Sequence, residues 1–392
     1  MNKNIVRKGL VVGIILLFIG ISAISSTANF LSVNISKDDK ISSIPIDSMG
    51  IIYVDDDNTE GPWDGTLDYP YQFIQDGIDN AIEGDTVYVF NGIYDENVRI
   101  NKTINLIGEN KNTTVIDGNN IGDVINIRAD LVNISRFTLR KSGEYDSGID
   151  IVASKQCVVS NNIFLNNHLG VSIRTTKGNR NYITKNIIKN NCHGIELEKC
   201  SSNVISYNNI SDNDNIGIYF FDAANNNDII CNNIIGNRIG IYLGVYSHET
   251  YVDENNIMNN GDIGITVYSS INVFSGNNIE NNKNYGIRMS SSQNDIFSNN
   301  TFKNSKTAVY SSFDDSNHKF YYNNFIENSH MIRCGSCGHI FDYNYWDRPR
   351  VFPKMILGWK EKEIWRKGNI VFYINIPVFM FDMHPARVPN DI

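Results

Sequence analysis

The sequence predicts an all-β protein, a single-stranded parallel β-helix solenoid with an N-terminal capping helix and an irregular C-terminal cap. Two observations predict this fold. A motif of 22 to 24 residues recurs through most of the chain, which is typical of stacked supersecondary units. The segments between its polar corners alternate with period 2 and are too short for helices, so each unit is a coil of three short strands around an apolar interior.

The repeat is clear in "SNNIFLNNHLGVSI", residues 160–173. One asparagine marks each unit, with largely apolar columns one residue after it and four residues before it. The markers are Asn162, Asn186, Asn209, Asn233, Asn256, Asn278, Asn300 and Asn324. A second column lies four residues later, at Asn166, Asn190, Asn213, Asn237, Asn260, Asn282, Asn304 and Asn328. Asparagine tolerates a left-handed corner and its amide can bond to the next coil, so we expect both columns to align as corner ladders.

The strand that follows the second column begins at a Gly-Ile pair in most units and presents an outward strip of side chains. The column two residues after the glycine contains Asp150, Ser172, Glu196, Tyr219, Tyr242, Thr266, Arg288 and Tyr310. The column two residues further on contains Val152, Arg174, Glu198, Phe221, Gly244, Tyr268, Ser290 and Ser312. Because parallel strands stack at ~4.8 Å, we expect the two columns to form one continuous exposed strip.

This strip is the candidate site for a ligand. Asp150, Glu196 and Glu198 are candidate catalytic acids, since a two-coil separation of roughly 9–10 Å is near the upper limit for an inverting glycosidase. The candidate binding residues, whose aromatic members can stack on sugar rings, are Arg174, Tyr219, Phe221, Tyr242, Tyr268, Arg288 and Tyr310. The alternative is that outward strand positions favour such residues without any ligand.

The ends of the chain differ from the repeats. Residues 1–28 have a basic start, an apolar run and a small-residue exit, which predicts a secretion signal peptide; an uncleaved anchor is the alternative. Residues 29–50 are interpreted as a spacer. The formal charge of −9 leaves no basic face for nucleic acid.

We expect an N-terminal cap over residues 51–83, repeats over 84–344 and a C-terminal cap over 345–392. A helix within "PYQFIQDGIDNAIEGD" would place Ile74, Ile78, Ala81 and Ile82 on one apolar face and plug the first coil. The last segment lacks the repeat and is rich in tryptophan and proline, as expected of a different closing structure.

Two groups of residues suggest metal ligands. The loop "YVDDDNTEGPWDG" brings together Asp55, Asp56, Asp57 and Asp64, oxygen ligands that could bind calcium; a polar edge strand and turn leading into the cap helix is the favoured alternative. In "SHMIRCGSCGHIF", the thiols of Cys334 and Cys337, with His339 as third ligand and His330 as fourth, suit zinc or copper. A disulfide between the two cysteines, or two free thiols, are the alternatives.

The segment from "YVDDDNTEGPWDGT" to "NKTINLIGE", the "NNI…NN…GI" units and the tail "NYWDRPR…FDMHPARVP" resemble secreted right-handed parallel β-helix proteins of the pectin-lyase-like superfamily. The resemblance covers residues 51–392 and is to the NosD-like branch, as in archaeal surface proteins. It implies a right-handed coil and an exported chain. The NosD namesake's link to copper-site assembly raises metal handling as one candidate role.

The superfamily includes lyases, polygalacturonases and epimerases, but the Asn-Thr-Asp and Arg-Ile-Lys motifs of polygalacturonases are absent from the sequence, so no catalytic residue carries over. We therefore expect an exported cell-surface protein that binds glycans or protein partners without catalysis. It would touch the membrane only through an uncleaved N-terminal segment. The alternatives are a polysaccharide lyase or glycoside hydrolase, and metal handling.

Overall fold

The computed structural model describes residues 50–174, 179–335, 338–349, 352–367 and 370–392. The predicted signal peptide and nearly all of the predicted spacer lie outside these residues, as does Cys337. One helix, α1, spans Ile74–Asn80, and it is too short to cross a membrane. The remaining described elements are β-strands that wind into one solenoid, which confirms the all-β parallel β-helix.

Three faces run along the solenoid, and each coil contributes one strand to each face in the order first, second, third. The first face consists of β4 (Val98–Ile100), β7 (Ile125–Ile127), β10 (Ser147–Val152), β13 (Leu169–Arg174), β16 (His193–Glu198), β19 (Ile216–Asp222), β22 (Ile239–Leu243), β25 (Ile263–Val267), β28 (Tyr285–Met289), β31 (Thr307–Ser311), β34 (His330–Cys334) and β37 (Lys354–Lys367). Its strands pair in parallel from β4 to β37.

The second face is also a parallel ladder. It consists of β1 (Ile51–Val54), β2 (Thr86–Val89), β5 (Asn105–Gly108), β8 (Asn133–Ser135), β11 (Val158–Ser160), β14 (Tyr182–Thr184), β17 (Val204–Ser206), β20 (Asp228–Ile230), β23 (Tyr251–Asp253), β26 (Val273–Ser275), β29 (Ile296–Ser298), β32 (Lys319–Tyr321), β35 (Ile340–Asp342) and β38 (Ile370–Asp382).

The third face completes each coil. It consists of β3 (Gly92–Asp95), β6 (Thr114–Asp117), β9 (Thr138–Arg140), β12 (Ile163–Leu165), β15 (Ile187–Lys189), β18 (Asn209–Ser211), β21 (Asn233–Ile235), β24 (Asn256–Met258), β27 (Asn278–Glu280), β30 (Thr301–Lys303), β33 (Asn324–Ile326) and β36 (Tyr345–Trp346). The middle residue of most short strands is fully buried and faces the interior, as period-2 alternation requires. Phe274, Phe297 and Phe320 stack there with ring centroids 4.7 Å apart.

The predicted asparagine ladder exists, but its predicted register is wrong in five units. The ladder between the second and third faces consists of Asn162, Asn186, Asn208, Asn232, Asn255, Asn277, Asn300, Asn323 and Asn344. The markers Asn209, Asn233, Asn256, Asn278 and Asn324 each lie one residue later, at the start of a third-face strand. In these units two asparagines are adjacent, so the residue type alone leaves the register ambiguous by one.

The second predicted column is correct in most units and one residue early in three. The ladder between the third and first faces is Asn167, Asn191, Asn213, Asn237, Asn260 and Asn282, and Asn328 holds the same place further on. Asn166, Asn190 and Asn304 precede their ladder positions and adopt positive φ of 56°, 55° and 50°. The left-handed residue and the ladder residue are therefore neighbours in each corner, where we had expected one asparagine to serve both purposes.

Helix α1 covers the first coil as predicted. Ile74 and Ile78 are fully buried against the core, and the carboxylate of Glu96 accepts hydrogen bonds from the N–H groups of Ile74 and Gln75 at 2.8 and 3.0 Å. The expectation that Ile82 belongs to the apolar face is wrong, since the helix ends at Asn80 and Ile82 is 59% exposed.

The C-terminal cap contains a regular element where irregular structure was expected. β37 and β38 pair with each other as an antiparallel hairpin from Lys354↔Asp382 to Lys367↔Ile370. Asp382 closes the ladder between the second and third faces, because its Oδ2 accepts hydrogen bonds from the Asn344 N–H, the Asn344 amide and Trp346 Nε1. The buried polar ladder therefore ends on a satisfied carboxylate.

Candidate functional site

The outward column of the first face lies in register from coil to coil. Asp150 pairs with Ser172, and Ser172 pairs with Glu196. The register continues through Tyr219, Tyr242, Thr266, Arg288 and Tyr310. The expectation that the whole column is exposed is wrong for Asp150, Ser172 and Thr266, which are buried. Ser172 and Thr266 are short and lie between longer neighbours on adjacent strands.

Asp150 is held by Arg174 from the next coil. Arg174 Nε donates to Oδ1 at 3.0 Å and Nη2 donates to Oδ2 at 2.6 Å, and the Asn126 amide donates to Oδ2 at 3.3 Å. Burial raises the pKa of Asp150, and the bonds from Arg174 oppose that increase. The same contact raises the pKa of Arg174. Asp150 therefore fixes the position of Arg174, whose side chain is 41% exposed.

The two neighbouring glutamates are in different environments. Burial is the main cause that raises the pKa of Glu196; the charges of Glu198 and Asp150 add to it, and Arg174 opposes them. Glu198 Oε1 accepts a hydrogen bond from Lys199 Nζ at 2.9 Å. Glu196 is therefore a carboxyl group whose proton affinity is raised by its surroundings.

A concavity of about 560 Å³ lies at this end of the strip. Its lining consists of Asp123, Asn126, Arg128, Asp150, Val152, Arg174, Glu198 and Lys199. Three carboxylates face three cationic side chains in this set, so the concavity offers hydrogen-bond donors and acceptors with balanced formal charge. Such a surface suits a polar, hydroxyl-rich ligand better than a strongly charged one.

Aromatic rings continue from the concavity along the first face. The Tyr219 ring lies 5.2 Å from Tyr242 and 5.6 Å from Phe221, and Tyr242 lies 5.5 Å from Tyr268. His193 stacks on Tyr219 with centroids 5.3 Å apart. The rings of His168 and Tyr145 extend this line toward the N-terminal end. We call these seven residues the aromatic strip: Tyr145, His168, His193, Tyr219, Phe221, Tyr242 and Tyr268.

Sequence reasoning missed Tyr145, His168 and His193. Each lies one to three residues before a glycine of the repeat, outside the two columns that were considered. Burial, together with a smaller effect of the charge of His168, lowers the pKa of His193 to about 4, so His193 is neutral at physiological pH. The recurrence of a ring just before the glycine in three successive units is the signal that could have found them.

Two of the predicted binding residues lie apart from the aromatic strip. Arg288 and Tyr310 follow the buried Thr266 on the next two strands. Tyr310 contacts Tyr285, with centroids 5.5 Å apart. The predicted strip is thus divided into an N-terminal part, which carries the concavity and the line of rings, and a smaller C-terminal group.

The acidic loop near the N-terminus uses its carboxylates locally. Asp55 Oδ1 accepts from the Asp57 N–H at 3.2 Å, Asp56 Oδ2 accepts from a backbone N–H of β3 at 2.9 Å, and Asp64 Oδ1 accepts from the N–H two residues later at 2.9 Å. No group of three or more His, Cys, Asp or Glu side chains is placed to hold a metal ion among the described residues. The calcium site stays a prediction.

The candidate zinc or copper ligands lie in environments that differ from one another. Cys334 is buried, and burial raises the pKa of its thiol to about 12. His339 is also buried; its Nδ1 accepts a hydrogen bond from a backbone N–H, and burial lowers its pKa to about 4. His330 is exposed and lies 2.6 Å from the guanidinium of Arg333. With Cys337 outside the described residues, this metal set and the alternative disulfide stay predictions.

Solved structures with a similar fold include enzymes that act on polysaccharides. The A-module of Azotobacter vinelandii mannuronan C-5 epimerase AlgE4 has a TM-score of 0.60 and 15% identity, with 74% of this chain and 94% of that chain covered. The AlgE6 A-module from the same organism has a TM-score of 0.58 and 14% identity, with 74% of this chain and 93% of that chain covered. The structure of XylC with xylose has a TM-score of 0.53 and 11% identity, with 75% of this chain and 83% of that chain covered. At these identities the likeness shows the fold alone.

A comparison with curated protein sequences finds no match. A family model described as "Periplasmic copper-binding protein (NosD)" matches residues 78–249 and 240–358. Together these segments extend from helix α1 to the first residues of the C-terminal hairpin and include the asparagine ladders and the aromatic strip. Because this match covers more than half of a chain that folds as a parallel β-helix, it establishes that the chain belongs to the NosD family.

Proposed function

We propose that this protein is an exported binding protein that holds a polysaccharide along the first face of its β-helix. The observation that carries the proposal is the unbroken line of seven rings that begins beside the polar concavity. The faces of sugar rings carry C–H groups that pack on aromatic faces, while their hydroxyls bond to polar groups at the edges. A surface that carries both rings and a group of charged and amide side chains meets both needs.

The length of the aromatic strip favours a polymer over a small molecule. Its rings belong to six successive coils, from the loop before β10 to the residue after β25. Five coil spacings of ~4.8 Å give a length of about 24 Å. An extended chain can lie along such a line and contact several rings in turn, whereas a single sugar would contact one or two.

The charges around the concavity favour binding over hydrolysis. A two-carboxylate mechanism needs both acids free to meet the substrate and a water molecule. Here Asp150 is engaged with Arg174, and Glu198 is engaged with Lys199. We therefore assign these side chains to the positioning of donors and acceptors.

A lyase or glycoside hydrolase is the second candidate, and Glu196 is the observation that favours it. Its raised pKa and its place between Ser172 and Tyr219 suit a group that exchanges a proton with a substrate on the first face. Under this alternative Glu196 carries the proton transfer and Asp150 supports it through Arg174.

Copper handling is the third candidate, because the family description names copper. The described residues do not fit that role by themselves, since Cys334 and His339 are buried, His339 accepts a backbone hydrogen bond, and His330 lies on the outer surface beside Arg333. The periplasmic description does support export, in agreement with the signal peptide predicted over residues 1–28. The position at the cell surface is part of the proposal.

A glycan array with product analysis tests the proposal. We expect the wild-type protein to bind a polysaccharide without cleaving it, and Tyr219→Ala combined with Tyr242→Ala to weaken binding at least about tenfold, since each ring supplies stacking area. The matched control is Tyr182→Ala with Tyr251→Ala, which removes two exposed rings from the second face.

Equal losses in the two double variants would contradict the first-face site. Release of shorter products, abolished by Glu196→Gln, would favour the enzyme. Failure to bind any glycan while a protein partner is retained on the same face would replace the polysaccharide with a protein ligand.

A further inference from the structure

The C-terminal hairpin leaves the solenoid almost as soon as it begins. Among the described residues, β37 pairs with the last coil of the first face only at Cys334↔Gly358, and β38 pairs with the second face only at Phe341↔Asp382. Beyond these points the two strands pair with each other. The hairpin is therefore an addition to the end of the stack with two faces of its own.

One face of the hairpin completes the core. Ile356 and Met380 lie opposite each other in the ladder and are 4% and 7% exposed. Since side chains alternate along a strand, the residues on either side of this pair point the other way. The base of the hairpin thus closes the interior of the last coil with one face only.

The opposite face is apolar and exposed. Met355 pairs with Phe381, and Leu357 pairs with Phe379, so these four side chains share one surface. They are 53%, 48%, 44% and 54% exposed. Phe352 and Met383 flank them with 80% and 58% exposure. We call these six residues the hairpin patch: Phe352, Met355, Leu357, Phe379, Phe381 and Met383.

A sheet that is apolar on both faces is normally covered on both. Large apolar side chains with about half of their surface in water indicate that this face meets another surface. Aromatic rings and flexible methionines, which dominate the hairpin patch, adapt well to an apolar phase that has no fixed shape.

Charge distinguishes between the partners that could cover the patch. Residues 340–392 contain eight Lys and Arg against six Asp and Glu, a formal charge of +2, in a chain whose total is −9. Exposed Arg348 and Arg387 belong to this basic segment. A second copy docked on the same patch would bring like charges together, whereas anionic lipid headgroups complement them.

We propose that the hairpin patch docks on a membrane surface that contains anionic lipid. Its apolar side chains enter the boundary between headgroups and acyl chains, and Arg348 and Arg387 of the same basic segment contact the phosphates. β25, at the C-terminal end of the aromatic strip, is four coils from β37, or about 19 Å along the axis. The hairpin patch is therefore separated from the aromatic strip along the axis of the solenoid.

Vesicle sedimentation with the secreted protein tests this proposal. We expect binding to phosphatidylcholine vesicles that contain phosphatidylglycerol, weaker binding to phosphatidylcholine alone, and loss of binding as salt screens the charges. The variant Met355→Ser, Phe379→Ser, Phe381→Ser should bind at least about tenfold more weakly. Arg348→Gln with Arg387→Gln should reduce the preference for phosphatidylglycerol.

The matched control replaces three exposed apolar residues far from the hairpin, Ile93→Ser, Ile121→Ser and Leu131→Ser. All variants keep residues 1–28 as in the wild type, so any contribution of that segment cancels. The control should bind as the wild type does, and all melting curves should agree because the altered side chains are exposed. Equal losses in control and hairpin variants, or no vesicle binding by the wild type, would overturn the proposal. A dimer that the hairpin variant abolishes, without vesicle binding, would assign the patch to a second copy.

Discussion

At the scale of single residues, the asparagine ladders hold adjacent coils together through buried, fully used amides. The Asn232 N–H and side-chain amide both donate to Asn255 Oδ1, at 2.9 and 3.0 Å, and the amide also donates to Ile205 O at 2.8 Å. Its own Oδ1 accepts two bonds from Asn208. Removing one such side chain leaves unpaired polar groups on both adjacent coils.

This arrangement gives a test of the ladder register. Asn232→Ala should lower the free energy of unfolding by about 3 kcal/mol, because several buried groups lose their partners. Asn233→Ala, one residue later, removes an outward side chain that bonds only to other asparagines of the third face, and should cost less than about 1 kcal/mol. Urea unfolding measures both. Equal losses, or a larger loss at Asn233, would refute the register.

Residue type alone was not enough to set that register. The pair Asn208 and Asn209 fits either frame, and only the strand pairing shows which of them points inward. The ladder between the first and second faces was not predicted from the sequence, because its members are different kinds of residue. It consists of Asn181, Asn203, Asn227, Thr250, Asn272, Asp295, His318 and His339. These residues share a polar side-chain group close to the backbone. Four residue types supply it, so the column is not visible as a repeated letter in the sequence.

At the scale of elements, helix α1 shows how one short segment protects the open end of a solenoid. A helix of this length is not stable alone. Its position therefore depends on the burial of Ile74 and Ile78 and on the hydrogen bonds that the Glu96 carboxylate accepts from its first turn. Its apolar periodicity was visible in the sequence. The end of the helix was not visible in the sequence, because Ala81 and Ile82 continue the apolar run although the backbone becomes extended at Ala81.

The helix also provides a matched pair of substitutions. Ile78→Asp should lower the free energy of unfolding by about 4 kcal/mol, since it places an unpaired carboxylate in the core. Ile82→Asp makes the same chemical change at an exposed position and should change stability by less than about 0.5 kcal/mol. Thermal and urea unfolding of the two variants measure the difference. Comparable effects at both positions would show that the helix does not plug the stack as described.

At the scale of the whole molecule, the repeat period and the alternation within it were sufficient to predict the fold, because a solenoid is specified by contacts between neighbouring units. The same period placed Asp150, Glu196 and Tyr219 in one column. It could not show that Arg174 reaches back one coil to cover Asp150, nor that His193 packs on Tyr219, because both contacts depend on side-chain directions between coils. The hairpin lies outside the repeat, so the repeat period could not predict it.

The central claim is that a polysaccharide chain lies along the aromatic strip, and a chain-length series tests it most directly. Oligosaccharides of increasing length, cut from the polymer that the protein binds, would be titrated by calorimetry. Each added unit should reach a further ring, so affinity should rise with length and level off once the ligand spans about 24 Å, the length of the strip. An affinity that is already maximal for a mono- or disaccharide would contradict the claim and confine recognition to the concavity.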